Sequence, residues 1–476
     1  MFALSSGQEV NGTLTLTRRD IVLYVWSEVP LDVVPGSTIT GVLDDLTHAS
    51  LLQCSVRSEG HSGRDHKVRY TYHLSPLYLL IGSRYFSDRD EELQHASFIV
   101  AHSVELFDDP DAYGTIFHDP EAVRRAAQGD IATRTIKVND WNWVSYYTGK
   151  TNVFRADTSI GEISANHSPT FTMGHASSLG LTKRVYFNIK FDVPVSVVEA
   201  LFRIDRVLQF IDLIVGYSEN VEEMHVYAGS DCESREADVH SLNYSRRRQV
   251  STQRRPSKFT ALIHPVDQAE EFSNALSNWI ERDLEWRTAR MRLSRDWGTL
   301  NYTYSRMITA ANAFDLLPGE IYGDATPLSQ KERDAVERAK MIFRALPPSE
   351  DRDIMLGQLG RFGNWPLKRK IRHRARIITD IIDRTVPDLS AVIDQAVNLR
   401  NFHVHGSGLR LDDDDRRLFL RFFTDALEFV FFVSDLIEAG WDIVRWCGKG
   451  SPRGHPFHNF LVFYRDDLAR LKRAIE

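Results

Sequence analysis

The amino-acid sequence predicts an α+β multidomain protein, with a β-rich N-terminal half followed by an all-α C-terminal half. Three observations support this prediction. The chain has 476 residues, which is too long for one ordinary hydrophobic core. Short segments with partial period-2 alternation dominate its first part, and apolar residues at helical spacing dominate its second part. Because these two patterns are segregated along the chain, we expect separate modules and not one interleaved α/β sheet.

The N-terminal half contains short segments rich in Thr, Val, Tyr and Leu, which are typical of strands. We predict strands at 12–17, 20–26, 50–56, 67–74, 184–193 and 221–228. An amphipathic helix is predicted at 194–216. The polar stretch 229–258 is interpreted as an exposed loop or linker, so we place the β-rich domain at 1–265. Trp141 and Trp143 are expected to be core aromatics without a functional role.

The C-terminal half, residues 266–476, shows a series of helical patterns. Helices are predicted at about 268–284, 300–317, 329–346, 350–362, 366–386, 388–405 and 414–439. Ser329 and Glu332 form a Ser-x-x-Glu capping box, which marks the start of a helix. The most apolar run, 429–433, is bounded by acidic residues and is too short to cross a bilayer. We therefore expect it to lie in a buried helix.

Composition excludes several classes of protein. The net charge is −7, so the whole molecule is not an electrostatic nucleic-acid binder, and any polyanion site must come from a local cluster. The cysteines, Cys54, Cys232 and Cys447, are far apart, which excludes a disulfide framework and a thiolate zinc site. The N-terminus shows no signal-peptide pattern. We therefore expect a cytoplasmic protein that does not associate with membranes.

The segment 391–408, AVIDQAVNLRNFHVHGSG, contains the strongest candidate site. If it is helical, its buried stripe consists of Leu389, Val392, Ala396, Leu399 and Phe402. Its polar face carries Asp394, Asn398, Asn401 and His405. Asn401 and His405 are then one turn apart, about 6 Å between Cβ atoms, and the long side chain of Arg400 can reach the same place. The glycines after His405 end the helix, so the imidazole of His405 is expected at an exposed helix end.

Arg400, Asn401 and His405 are residue types that suit metal-free RNA cleavage. A histidine can take or give a proton at neutral pH. An arginine presents a planar fork to a phosphate and stabilises charge that develops on its oxygens. An asparagine can orient the imidazole or bond the phosphate. Spacing alone leaves a second interpretation open, in which the Arg and His at this helix end only face solvent or cap carbonyls.

The basic segment 361–376, RFGNWPLKRKIRHRAR, is a second candidate surface. Its candidate RNA-binding residues are Lys368, Arg369, Lys370, Arg372, Arg374 and Arg376. The cations of such a helix could bind the phosphates of RNA, while Phe362 and Trp365 stack on its bases. The alternative is a solvated helix face that balances nearby acidic residues.

No metal or cofactor is predicted. His403 and His405 form a His-x-His pair, but on a helix these side chains point about 200° apart. His455 and His458 have better spacing, but no further ligand is identifiable, and we expect them in a surface loop. No phosphate-binding loop, nucleophile elbow or dinucleotide motif stands in a suitable context.

Several segments, taken in order along the chain, resemble ApeA-like anti-phage defence proteins with a C-terminal HEPN ribonuclease domain. The run RNFHVHG after an apolar helix resembles the Arg-polar-x-x-x-His signature of HEPN ribonucleases. The segment YSRMITAANAFDLLP (304–318) resembles the first helix of that domain, with Asp315 in place of the usual Glu as a supporting residue. The segments at 10–26 and 39–54 resemble the N-terminal domain of that family, and 272–283 resembles its bridging helix.

The resemblance implies a metal-independent endoribonuclease of bacterial anti-phage defence, of the abortive-infection kind. The HEPN half would cleave RNA, with tRNA as a candidate substrate, by attack of the 2′-hydroxyl. His405 would carry the proton and Arg400 would bind the phosphate. HEPN nucleases usually act as dimers, so we expect a homodimer or a higher homo-oligomer through this domain. The N-terminal half would restrain the nuclease or sense infection, with a phage protein as a candidate trigger. The alternative is a non-catalytic HEPN module that binds RNA or a phage protein.

Overall fold

The computed structural model describes the chain except residues 18–19, 65–66, 128–136, 176–177, 230–236, 242–259, 295–296, 323–328, 361–364 and 449–453. The chain divides into two compact units, Met1–Glu281 and Arg282–Glu476. Strands dominate the first unit and helices form the second, which confirms the predicted order of a β-rich half and a helical half. The division falls later than the expected boundary after residue 265, because the helix at Ala269–Glu281 packs on a strand of the first unit.

The strands of the first unit are β1 (Phe2–Ala3), β2 (Glu9–Leu16), β3 (Ile21–Ser27), β4 (Ser37–Val42), β5 (His48–Arg64), β6 (Lys67–Ser75), β7 (Tyr78–Gly82), β8 (Leu93–Val100), β9 (Tyr113–Phe117), β10 (Trp143–Tyr147), β11 (Asn152–Thr158), β12 (Gly161–His167), β13 (Thr170–His175), β14 (Ser178–Thr182), β15 (Val185–Val195), β16 (Val221–Tyr227) and β17 (Ala237–Ser241). Its helices are α1 (Ser103–Leu106), α2 (Pro120–Ala126), α3 (Val197–Val215) and α4 (Ala269–Glu281). Every predicted strand is confirmed. Most of the expected linker 229–258 lies outside the described residues, although β17 falls within it.

Among the described strands, thirteen join in one sheet, in the order β11-β12-β15-β8-β16-β17-β7-β5-β4-β1-β2-β3-β6. The long strand β5 pairs with β4 and β7 through its first part and with β6 through its second part. The strands β5, β4, β1, β2, β3 and β6 therefore close on themselves as a small barrel. Its core includes Ile21, Leu23, Val25, Leu51 and Leu74, which alternate inward along their strands.

Helix α3 covers the strands β8 and β15 beyond the barrel. It begins where the Ser196 side chain accepts a hydrogen bond from the Glu199 amide at 3.3 Å, and it ends at Gly216, whose φ of +85° suits glycine. Helix α4 lies against β11, where the rings of Phe272 and Phe154 meet edge to face with centroids 4.8 Å apart. Both helices confirm patterns that the sequence predicts.

The second unit contains helices α5 (Asp283–Ser294), α6 (Tyr304–Ala313), α7 (Gln330–Ala345), α8 (Glu350–Gly360), α9 (Leu367–Ile382), α10 (Leu389–His405), α11 (Asp413–Glu438), α12 (Ile443–Gly448) and α13 (Pro456–Ile475), and short 3₁₀ turns at Phe314–Leu316 and Gly319–Tyr322. The predicted capping box is confirmed. The Ser329 side chain accepts from the Glu332 amide at 3.3 Å, and the Glu332 carboxylate accepts from the Ser329 amide at 2.7 Å. Helices α12 and α13 lie beyond the helices that the sequence predicts.

Helix α11 is the centre of the second unit and packs against α6, α9, α10 and α13. The apolar run 429–433 is fully buried within it, as predicted. Two buried ion pairs fix other helices to α11. Arg306 of α6 meets Glu428 at 2.7 Å, and Arg290 of α5 meets Asp435 at 2.9 Å. None of the described helices has the length and hydropathy of a membrane-spanning segment.

Two expectations about aromatic and histidine residues are wrong. Trp141 and Trp143 are 84% and 65% exposed, because β9 and β10 form a separate two-stranded sheet that leaves these side chains uncovered. His455 does not lie in a surface loop. It is buried at the start of α13, where its Nδ1 accepts a hydrogen bond from the Phe457 amide at 3.1 Å.

Candidate active site

Helix α10 presents the Arg-Asn-x-x-x-His motif at its C-terminal end. Leu389, Val392, Ala396 and Leu399 are buried as predicted, and Phe402 is half-buried. Burial stops at the last turn, where His405 is exposed and Gly406 adopts a φ of +67°. The buried stripe therefore anchors the helix, and the left-handed glycine ends it just after the imidazole.

The guanidinium of Arg400 is the centre of the candidate site. Its Nη1 lies 3.0 Å from His405 Nε2 and donates to Asn401 Oδ1, also at 3.0 Å. Its Nε and Nη2 both donate to Asn312 Oδ1 of α6, at 3.1 and 2.8 Å. The structure thus brings the three predicted catalytic residues together, and it adds Asn312 to them.

The contact between Arg400 and His405 suits one tautomer of the imidazole. An arginine can only donate hydrogen bonds, so His405 Nε2 must be the acceptor. Such a hydrogen bond needs the tautomer of the imidazole that carries its proton on Nδ1. A basic nitrogen therefore lies beside a permanent cation, which is the combination that proton transfer next to a phosphate requires.

Asn312 is a residue that the sequence did not identify, since Asp315 was expected to support the motif. The structure places Asp315 elsewhere, because its carboxylate accepts from Lys370 of α9 at 3.0 Å. Asn312 is half-buried one turn earlier on the same segment, and it reaches Arg400 across 88 positions of sequence. A polar residue inside the otherwise apolar run AANAF (310–314), at the end of α6, is the signal that could have identified it.

His403 lies outside the contacts of Arg400 and packs on Tyr304 of α6, with ring centroids 4.0 Å apart. Partial burial and the nearby positive charge of Arg416 lower the pKa of His403 below its usual value. This shift favours the neutral form of His403. Among the described residues, no group of three or more His, Cys, Asp or Glu side chains is placed to hold a metal ion.

The basic helix α9 runs beside α10, and several of its cations contact polar residues there. Lys368 donates to Asn398 at 3.0 Å, and Arg372 pairs with Asp394, which raises the pKa of Arg372 further. Arg369 lies over the ring of Trp365 at 4.2 Å, and Arg376 is exposed to solvent. Phe362 lies outside the described residues.

Arg374 must be removed from the set of candidate RNA contacts. Its side chain is fully buried, where Nε donates to Ser434 at 3.0 Å and Nη1 to Glu438 at 2.7 Å. Helix α9 is amphipathic, so one of its basic positions necessarily faces α11. Arg374 holds the helix bundle together, and the exposed cations of α9 lie on its other faces.

Comparisons with known proteins agree with this architecture. Residues 2–279 match the family model described as ApeA N-terminal domain 1, and residues 308–443 match the model described as Apea-like HEPN. The second match contains the last six residues of α6 and all of α9, α10 and α11, and thus Asn312 and the whole motif. No curated protein and no solved structure matches the chain significantly. Because the first model covers more than half of the sequence, the chain belongs to the ApeA-like family of anti-phage defence proteins, which combine this N-terminal domain with a nuclease-type HEPN domain.

Proposed function

We propose that this protein is a metal-independent endoribonuclease of anti-phage defence, with its catalytic residues at the end of α10. The observation that carries the proposal is the 3.0 Å contact between Arg400 Nη1 and His405 Nε2 at an exposed helix end. This contact pairs a proton acceptor with a phosphate-binding cation. Asn401 Oδ1 accepts a hydrogen bond from the same Nη1. Asn312, on α6, accepts from Nη2 and so positions the guanidinium of Arg400.

In the proposed reaction, a phosphodiester of RNA accepts hydrogen bonds from Arg400. The phosphate oxygen replaces His405 as an acceptor of Nη1, which frees the lone pair of Nε2. His405 then takes the proton of the 2′-hydroxyl as its oxygen attacks phosphorus. The P–O5′ bond breaks, and the leaving 5′-oxygen takes the proton that His405 carries, so the imidazole is neutral again. The products are a 2′,3′-cyclic phosphate and a 5′-hydroxyl, and Arg400 stabilises the charge on the phosphate oxygens in the transition state.

We further propose that the substrate is a structured cellular RNA, with tRNA as the first candidate, and that cleavage arrests the infected cell. The cations on the exposed faces of α9 would bind RNA phosphates, since that helix lies directly beside α10. The working protein would be a homodimer or a higher homo-oligomer through the HEPN domain, in the cytoplasm, with a phage protein as trigger.

The test is to incubate the full chain with total tRNA in the presence of EDTA and to determine the ends of any fragments. We expect discrete fragments with 5′-hydroxyl and 2′,3′-cyclic phosphate ends, and none with the variant His405→Ala. A strict requirement for magnesium, or 5′-phosphate ends, would contradict the mechanism. RNA binding without cleavage by the parent protein would favour the alternative, a non-catalytic HEPN module.

A further inference from the structure

Helices α7 and α8 form a hairpin that buries almost none of its side chains. They contain 16 and 11 residues, all of them described, and Val336 is the only buried residue in either helix. Between them, Pro347 and Pro348 form the turn, and Ser349 starts α8 by accepting from the Arg352 amide at 3.2 Å. Helices of this length derive most of their stability from a buried apolar face. The hairpin lacks such cover within the described part of its own chain.

The uncovered apolar side chains gather near the turn of the hairpin. They are Met341, Ile342, Leu346, Ile354 and Met355, which are between 41% and 66% exposed. We call these five residues the tip patch. Single exposed apolar residues are normal on a protein surface, whereas a group of five at one end of a two-helix projection marks an interaction site.

The two helices carry opposite net charges. Helix α7 has five Lys or Arg and three Asp or Glu, a net charge of +2, and α8 has one Arg and three Asp or Glu, a net charge of −2. Arg338 and Arg344 of α7 are exposed, as are Glu350 and Asp351 of α8. In the described part of the chain, these four residues form no ion pair. Their charges are therefore available to a partner.

We propose that the tip patch is a self-association surface, on which the same hairpin of a second copy of this chain docks. A two-fold axis near the turn places α7 of each copy on α8 of the other, so that one favourable contact occurs twice. The apolar residues of both copies then cover each other, and the +2 helix faces the −2 helix. The hairpin as a whole has no net charge to attract a polyanion or a partner of one sign, but its two helices are complementary to those of a second copy.

This inference deepens the proposed function, because it names a surface for the homo-oligomer expected through the HEPN domain, and it rests on that expectation but not on RNA cleavage. The hairpin carries none of the motif residues, so changes in the tip patch leave Arg400, Asn312 and His405 in place. The two ideas can therefore fail separately.

The first test removes the apolar contact in the full-length protein. The double variant Ile342→Asp with Met355→Asp places four charges in the interface of one pair, while both side chains are exposed within one chain. We expect the mass in sedimentation velocity to fall to half that of the parent, with an unchanged circular dichroism spectrum. The matched control is Leu46→Asp, a leucine of the first unit that is 79% exposed, and it should keep the mass of the parent. A monomeric parent, or a double variant with the mass of the parent, overturns the proposal.

The second test uses charge reversal and identifies which helices meet. Arg338→Glu with Arg344→Glu makes both helices acidic, and Glu350→Lys with Asp351→Lys makes both basic. Each variant alone should associate at least about tenfold more weakly than the parent, because like charges face each other. An equimolar mixture should regain the mass of the parent as a mixed complex, since the acidic hairpin then meets the basic one. If both variants lose association and the mixture does not regain it, α7 does not pack on α8 of the second copy, and the proposal is wrong.

Discussion

Arg400 uses its hydrogen-bond donors unevenly, and this distribution bears directly on mechanism. A guanidinium has five N–H groups. Two are given to Asn312, one to Asn401 and one to His405, which leaves a single N–H on Nη2. Asn312 and Asn401 hold the planar group in place, while the bond to His405 is the one that a phosphate can replace. The residue is thus oriented before substrate binds, which reduces the entropic cost of the reaction.

We predict that a change to either side chain of the catalytic pair greatly reduces the rate of cleavage. The variant His405→Ala removes the proton carrier, and a loss of about 10³-fold in kcat is expected. The variant Arg400→Lys keeps the positive charge but cannot bond Asn312 and a phosphate at once, so an intermediate loss of about 10²-fold is expected. Single-turnover cleavage of labelled tRNA measures both. If both variants fold and cut RNA like the parent, the proposed site is wrong.

Asn312 is predicted to be a positioning residue for Arg400. The variant Asn312→Ala releases two of the donors of the guanidinium, so kcat should fall by about tenfold or more while KM changes less. Asn312→Asp keeps an acceptor at the same place and should recover most of the rate. The matched control is Asp315→Ala, which removes only an exposed contact with Lys370 and should leave kcat near that of the parent. An Asn312→Ala variant with unchanged kcat would show that Arg400 needs no such support.

The sequence identified the motif but not its whole environment. Arg400, Asn401 and His405 lie within one helix, so helical spacing is enough to predict their proximity. Asn312 approaches them through the packing of α6 on α10, and no local pattern specifies that contact. The same limit explains Trp141 and Trp143, whose exposure depends on whether another layer covers their hairpin.

At the scale of elements, helix α9 carries both a buried and several uncovered cations, and its sequence does not distinguish them. Its cations repeat every four residues or so, but the bundle buries Arg374 and leaves Arg372 and Arg376 exposed.

Helix α13 has a regular helical pattern, but its first residues do not look helical. Its buried residues are Phe457, Phe460, Tyr464, Leu468 and Leu471, at intervals of three and four. The pattern is regular, but the His-Pro-Phe-His run at its start is typical of a loop.

We predict that the cations of α9 outside the core of the bundle bind RNA through its phosphates. Neutralising Lys368, Arg372 and Arg376 to Gln should weaken binding and reduce the slope of log K against log salt concentration by roughly 0.7 for each phosphate that these side chains no longer neutralise. The melting temperature should fall by only a few degrees, because exposed pairs contribute up to about 1 kcal/mol each. Filter binding at several salt concentrations measures the slope. An unchanged slope would mean that this face is only solvated.

The contrasting variant is Arg374→Gln on the same helix. It deprives the Ser434 hydroxyl and Glu438 Oε1 of their bonds to the guanidinium in the bundle, so the free energy of unfolding should fall by about 2 kcal/mol or more. The salt slope of RNA binding by the protein that remains folded should equal that of the parent. Urea denaturation, combined with the same binding assay, separates these two predicted functions of α9.

At the scale of the whole molecule, the two units differ in chemistry as well as in structure. The second unit contains the contact between Arg400 and His405, whereas the first unit is a barrel and sheet for which the sequence suggests no catalytic group. The segregation of strands and helices along the chain was sufficient to predict this division. The position of the boundary between the units was less predictable. The apolar residues of α4 have the helical spacing seen in the second unit, but the helix packs on β11 of the first unit.

We predict that the first unit restrains the nuclease in the uninfected cell. A free ribonuclease would arrest its own host, so a resting state of low activity is required. A bias of about 5.5 kcal/mol between two arrangements is enough to shift the active population from 99:1 to 1:99. A trigger needs only to bind the active arrangement more tightly in order to reverse this bias. The expressed fragment 282–476 should therefore be more toxic to growing cells than the full chain.

Colony counts after induction, at matched protein levels, measure this difference in toxicity. The fragment should lose its toxicity with His405→Ala, which ties the effect to RNA cleavage and not to aggregation. The same variant in the full chain is the matched control and should be harmless. If the fragment is soluble, self-associates and is harmless while the full chain cuts RNA, restraint is wrong. In that case the first unit delivers the RNA to the site on α10, because a folded HEPN domain with an intact motif would then lack only its substrate.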